Sequence, residues 1–192
     1  MAHVCCGGTY GFRQGNPGAL CPGWGQHCRV SELLWGDVKG FFDLEWEGCL
    51  PDVWVAGTGV EDWQAVLDLV VASGWRSEYS EGGVVMPLPR AGEVLSRSAD
   101  AECADLRVWP TPDVLAIFRL ESADEIGFDV DLRELQGQER LDVLCGFLRA
   151  IGHRLGKPVV MTPEGDWDRS HPILGFDVES DQVVLLAEPS IS

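Results

Sequence analysis

Residues 124–161 read DEIGFDVDLRELQGQERLDVLCGFLRAIGHRLGKPVVM, and two hydrophobic periods meet inside them. Ile126, Phe128, Val130 and Leu132 alternate with Gly127, Asp129 and Asp131, the two-residue repeat of a strand over 125–132 with one apolar and one polar face. Leu141, Leu144, Cys145, Leu148, Ile151 and Leu155 then recur at the spacing that lays an apolar stripe along a helix, and Gly156-Lys157-Pro158 stops it. Upstream, 107–109 and 114–120 read as strands. Downstream, 158–161 is a strand, and 173–178 with 183–187 make a hairpin.

The rest of the chain repeats this mixture. Segments 75–80 and 84–88 flank Glu81-Gly82-Gly83, a hairpin turn whose glycines supply positive backbone angles, and Pro87 with Pro89 places the second strand at an edge. Segment 52–55 is a short strand. After it Thr58 and Glu61 stand in capping-box register, and Trp63, Val66, Leu67 and Val70 form a helical stripe that ends at Gly74. Ser31 is a candidate N-cap for a shorter helix bearing Leu34, Val38, Phe41 and Phe42. Segment 90–105 is weakly patterned, a linker with a turn of helix at 93–95. Strands followed by a helix and more strands predict an α+β fold, with a largely antiparallel sheet packed by two main amphipathic helices. Sub-halves 31–100 and 101–192 either share one sheet or form two lobes.

Composition divides the chain differently. All thirty-one acidic residues lie at or beyond Glu32, and residues 1–30 hold two of the fourteen bases, so the remainder carries 12 − 31 = −19. A surface of that sign repels nucleic acid and anionic lipid and favours basic proteins or cations. Unpaired carboxylates in such numbers also predict folded pKa values raised on average, with stability rising as pH falls from 7 and as salt is added. The expectations are a partner that is a basic protein, no nucleic acid and no membrane. Without a secretory signal or a long apolar run, and with scattered thiols at Cys49, Cys103 and Cys145, the location expected is cytoplasmic.

Residues 1–30 are Gly- and Cys-rich and read as a disordered leader preceding a single acidic α+β domain over 31–192. His3, Cys5, Cys6, Cys21, His27 and Cys28 have zinc-ligand chemistry, but their spacing fits a tetrahedral site poorly. Val30 stands where a GTG start codon would be read internally as valine, so the leader is also read as a segment outside the natural product.

Two groups of side chains are candidate sites. The loop Glu164-Gly165-Asp166-Trp167-Asp168-Arg169-Ser170-His171 gathers oxygen ligands, an imidazole and an aromatic, and it reads either as a solvated loop or as a metal or acid–base site. Glu125, Asp129 and Asp131 share one parity along a strand, an acidic row for a cationic partner or simply a solvent face. Glu125, Asp129, Asp131, Glu164, Asp166, Trp167 and Asp168 are therefore the expected partner-binding residues. Among the tryptophans, Trp54, Trp63, Trp75 and Trp109 fit core or half-core positions, whereas Trp35, Trp46 and Trp167 are candidate partner anchors. His153, off the apolar stripe near a helix C-terminus, has a structural reading through the helix dipole.

Phosphate-loop, nucleophile-elbow, H-E-x-x-H and Cys-x-x-Cys motifs do not occur. The sequence motifs assign no catalytic residue, no metal and no cofactor, and the balance is against an enzyme. At EDWQAVLDL (61–69), and again over 124–161, the chain resembles an uncharacterised family of small acidic proteins from GC-rich actinobacteria, a likeness spanning 31–188 that implies no activity. More loosely it is similar to bacterial immunity proteins and acidic secretion chaperones. The function expected is a protein-binding module with an acidic surface, of the immunity type that neutralises a toxin. The alternatives are a metal-assisted hydrolase using the 164–171 loop and an acidic chaperone-like protein.

Overall fold

The computed structural model describes residues 33–44, 49–98 and 100–187. The leader with its candidate zinc ligands, Ser31 and Trp46 lie outside them. Strands run over Asp52–Ala56 (β1), Arg76–Glu81 (β2), Val84–Met86 (β3), Ala104–Thr111 (β4), Val114–Arg119 (β5), Glu125–Val130 (β6), Val159–Thr162 (β7), Leu174–Asp177 (β8) and Gln182–Leu185 (β9). They form one sheet in the order β3-β2-β4-β5-β6-β1-β7-β8-β9, and every neighbouring pair is antiparallel. The fold is α+β. The sub-halves interleave: β2 and β3 extend the sheet from β4, while β1 sits between β6 and β7. Segment 90–105 is thus a connection within one sheet.

Among the described residues, two long helices, Val60–Ala72 (α2) and Gln138–Leu155 (α4), cover one face, accompanied by two short ones, Trp35–Val38 (α1) and Ala91–Leu95 (α3). Burial follows the sequence periods. In α4 the stripe Leu141, Leu144, Cys145, Leu148 and Ile151 is buried, and Gly156 in the left-handed region (φ 63°) closes the helix by donating its N–H to Gly152 O at 2.7 Å. In α2 the buried set is Trp63, Val66, Leu67 and Val70.

Both helices meet the sheet through aromatic rings. Phe118 on β5 and Phe128 on β6 lie 4.5 Å apart, Phe147 of α4 stands 5.5 Å from Phe128, and Trp63 of α2 is 6.4 Å from Phe118. The edge-on arrangements of Trp63 and Phe147 suit the ring quadrupoles. Trp63 also donates its indole N–H to Ser122 O at 2.8 Å, which ties α2 to the β5–β6 connection.

Three local expectations change. The cap of α2 is Gly59, whose N–H is accepted by the Asp62 carboxylate at 3.0 Å, while Thr58 gives its hydroxyl proton to Ala123 O. Thr58 is pulled out of the cap because it bonds the β5–β6 connection instead. The strand predicted over 125–132 stops at Val130, because Asp131 accepts the Arg133 N–H at 2.9 Å and starts a 3-10 turn, Leu132–Glu134. The first helix is a single α-turn continued by a 3-10 turn over Lys39–Phe42, in keeping with Gly36 and Gly40.

Candidate acidic cleft and loop

The sheet face away from α2 and α4 is where the polar halves of the strand alternations collect. Register sets Asp52 opposite both Asp129 and Thr162, Trp54 opposite Gly127, and Gly127 in turn opposite Arg119. The loop 163–172, joining β7 to β8, folds over this patch. Together they enclose a cleft of about 640 Å³, lined among others by Asp52, Trp54, Arg119, Glu125, Asp129, Glu164, Asp166, Trp167 and Arg169.

Three contacts pin the loop down. Glu164 accepts the N–H groups of Cys49 and Leu50 at 2.8 and 3.0 Å, at the entry to β1. Arg169 forms an ion pair with Glu125 and lays its guanidinium 4.3 Å from the centre of the Trp54 ring. Asp52 accepts a backbone hydrogen bond from Gly165. A half-buried Trp54 is as expected, although it faces the cleft and not the helices.

Beyond these anchors the loop closes on itself. Asp166 accepts the His171 N–H at 3.0 Å, and its other oxygen lies 3.2 Å from His171 Nδ1. Asp168 accepts from the Ser170 N–H and hydroxyl, at 3.2 and 2.7 Å. One ligand atom each from Asp166, Asp168 and His171 falls within 4.8 Å of the others. Asp166 is the member that also lines the cleft. His171 and Ser170 turn toward a neighbouring groove of about 700 Å³ bordered by Phe41, Pro163, Pro172, Ile173 and Leu186.

The electrostatics of the carboxylates differ. Asp52 is held above the usual aspartate range, first by partial withdrawal from water and then by the charge of Asp129. Asp166 is held below it, chiefly by the His171 N–H donated to it. Asp129, with 7% of its surface exposed, pairs with Arg119, whose own pKa is raised by that hydrogen bond.

Of the seven residues read from sequence as partner-binding, Glu125, Asp129, Glu164, Asp166 and Trp167 line the cleft. Asp168 stands exposed on the outside of the loop within the three-ligand cluster. Asp131 is the exception, spent on Arg133 beyond the strand end. Nor is the acidic row bare, since Glu125, Asp129 and Asp131 each hold an arginine. Asp52 and Arg119 belong to the site but were not singled out from sequence. The strand parity that Asp52 shares with Trp54 was the available signal.

Comparison with known families, curated proteins and solved structures finds no match for the chain. Among the described residues no helix is long and apolar enough to cross a membrane.

Proposed function

We propose that this chain is a metal-assisted hydrolase that holds a divalent cation at Asp166, Asp168 and His171, on the rim of the acidic cleft. The observation that carries the reading is the convergence of the three ligand atoms within 4.8 Å, with Asp166 opening onto the cleft. Asp166, Asp168 and His171 would hold the ion, which would supply Lewis-acid activation of a water and of the bond to be cleaved. The chain's own residues supply the rest. Arg119, with half of its side chain exposed, presents a guanidinium to an anionic substrate group, and Trp167 offers a bare aromatic face at the rim.

Calorimetric titration of the full chain with Mn²⁺ and with Zn²⁺, beside the Asp168→Asn variant, tests this. One ion per chain, bound at least tenfold more weakly by the variant, is expected, together with ion-dependent hydrolysis of p-nitrophenyl phosphate or acetate. Absence of saturable binding of either ion defeats the proposal.

A second reading, a cytoplasmic protein-binding module of immunity type, is favoured by one observation. Trp167 is 95% exposed, between two aspartates, on a chain of net charge −17. Exposed tryptophan beside charge is typical of an interface anchor. Binding of an arginine-rich test peptide that weakens with salt, and that is lost in Trp167→Ala, would favour it over hydrolysis.

A further inference from the structure

We infer that Arg169 is the positioning residue of the loop: its side chain, locked between Glu125 and Trp54 on the sheet face, holds Asp168 and His171 in ligand register with Asp166. The inference rests on the cation site proposed above.

The backbone gives the first argument. Arg169 has φ 55°, a left-handed conformation shared among the described non-glycine residues only by Asp181. Glycine or asparagine adopts it with little strain, whereas arginine does not. A sequence needing only a tight reversal here would be served by glycine. Retaining arginine at such a position implies that its side-chain contacts compensate.

The second argument is where that side chain goes. Its guanidinium reaches the β6 residue Glu125 and covers the β1 residue Trp54, which leaves the loop residue fixed to two adjacent strands of the sheet centre. The chain reverses around it: the Arg169 N–H is donated to Asp166 O at 3.0 Å, and two residues later the His171 N–H returns to the Asp166 carboxylate at 3.0 Å. Asp168 precedes the clamp directly and His171 follows it by two. A guanidinium fork stacked on an indole fixes orientation in a way a flexible ammonium does not.

The experiment separates positioning from mere anchoring with three variants. Arg169→Gly keeps the left-handed turn and removes the clamp. Arg169→Lys keeps a charge for Glu125 and gives up the fork, and Glu125→Gln weakens the clamp from the other end. Zn²⁺ affinity is expected to fall at least about tenfold in Arg169→Gly, with partial recovery in Arg169→Lys, and with no further loss when Glu125→Gln is added to Arg169→Gly. Amide hydrogen exchange at His171, measured without any ion, is expected to lose its protection in Arg169→Gly while protection in α4 stays. If the parent binds Zn²⁺ and Arg169→Gly binds it equally well, or if the His171 amide stays protected, the positioning role is wrong and the cation site stands. If the parent binds no ion, both fall.

Discussion

Asp52 and Asp129 face each other across the β1–β6 ladder, on the side of the sheet that the long helices leave uncovered. Strand alternation fixes this juxtaposition, because a residue directly opposite on an antiparallel neighbour shares the same face. Like charges in that arrangement repel, and Arg119 offsets part of the cost through Asp129. Among the described residues Asp52 forms no arginine ion pair, and its proton affinity is raised first by partial burial and then by the charge of Asp129.

The pH dependence of stability follows from signs. Asp52, raised in the folded state, contributes stability present below its unfolded pKa of about 3.9 and lost as pH rises through the folded value. Asp100, Asp131, Asp166 and Asp177 are lowered by hydrogen bonds, so their contribution is present above that unfolded value and is lost as pH falls through their folded ones. The carboxylates whose shifts are resolved are thus mostly lowered, contrary to the expectation from charge count alone. Stability is expected to peak in the weakly acidic range and then to fall. Asp52→Asn should flatten the rise between pH 7 and the peak while leaving the acid-side fall in place. Urea midpoints measured every half pH unit decide this, and an unchanged neutral limb in the variant would show that the Asp52–Asp129 contact is inert.

Gly152 lies where α4 packs directly against Phe176 of β8. A Cβ built there would sit 2.0 Å from a ring carbon of Phe176 on β8. Gly152→Ala is therefore expected to destabilise by about 1–3 kcal/mol, despite alanine's better helix propensity, because overpacking wins where neither helix nor ring can retreat. Chemical denaturation of the variant beside the parent checks it, and an equal or higher midpoint in Gly152→Ala would show that the ring of Phe176 yields.

How much of this was legible in sequence depended on the range over which each signal acts. The α4 stripe, the α2 stripe and the Gly82-Gly83 turn, with φ of 53° and 81°, are local and were readable. Thr58 was misread as a cap because its hydroxyl partner, Ala123, lies 65 residues away. Whether the halves shared one sheet was undecided for the same reason, since the pairing of β1 with β6 and β7 is wholly non-local. The loop and the acidic row were each visible as local patterns, but nothing in the sequence said that Arg169 would join the loop to Glu125. His153 pairs with Asp181 and packs edge-on against Phe176 at 5.2 Å, contacts that its position near the helix C-terminus did not foretell.

Phe147 is the ring through which α4 reaches both Phe118 and Phe128, at 6.1 and 5.5 Å. Truncation to alanine empties the junction of helix and sheet, and burial of this kind typically costs about 3–5 kcal/mol. Phe147→Leu should cost less, since most of the volume remains. Equilibrium unfolding of both variants is the measurement, and near-equal losses would mean that the edge-on ring geometry carries more of the energy than filled volume does.

Trp167 is expected to behave in the opposite way. At 95% exposure it has little packing to lose, so Trp167→Ala should shift stability by no more than about 0.5 kcal/mol. A residue that contributes nothing to folding yet presents a large aromatic face beside the cleft has its cost in water and its use, if any, in a bound state. The discriminating measurement pairs a thermal melt with two binding titrations on the same variant, one with Zn²⁺ and one with the arginine-rich peptide. Unchanged ion affinity with lost peptide binding assigns the indole to a partner. Unchanged binding in both titrations removes Trp167 from the site altogether. A loss of several degrees in the melt would instead mean that the loop leans on its indole for structure, which its exposure argues against.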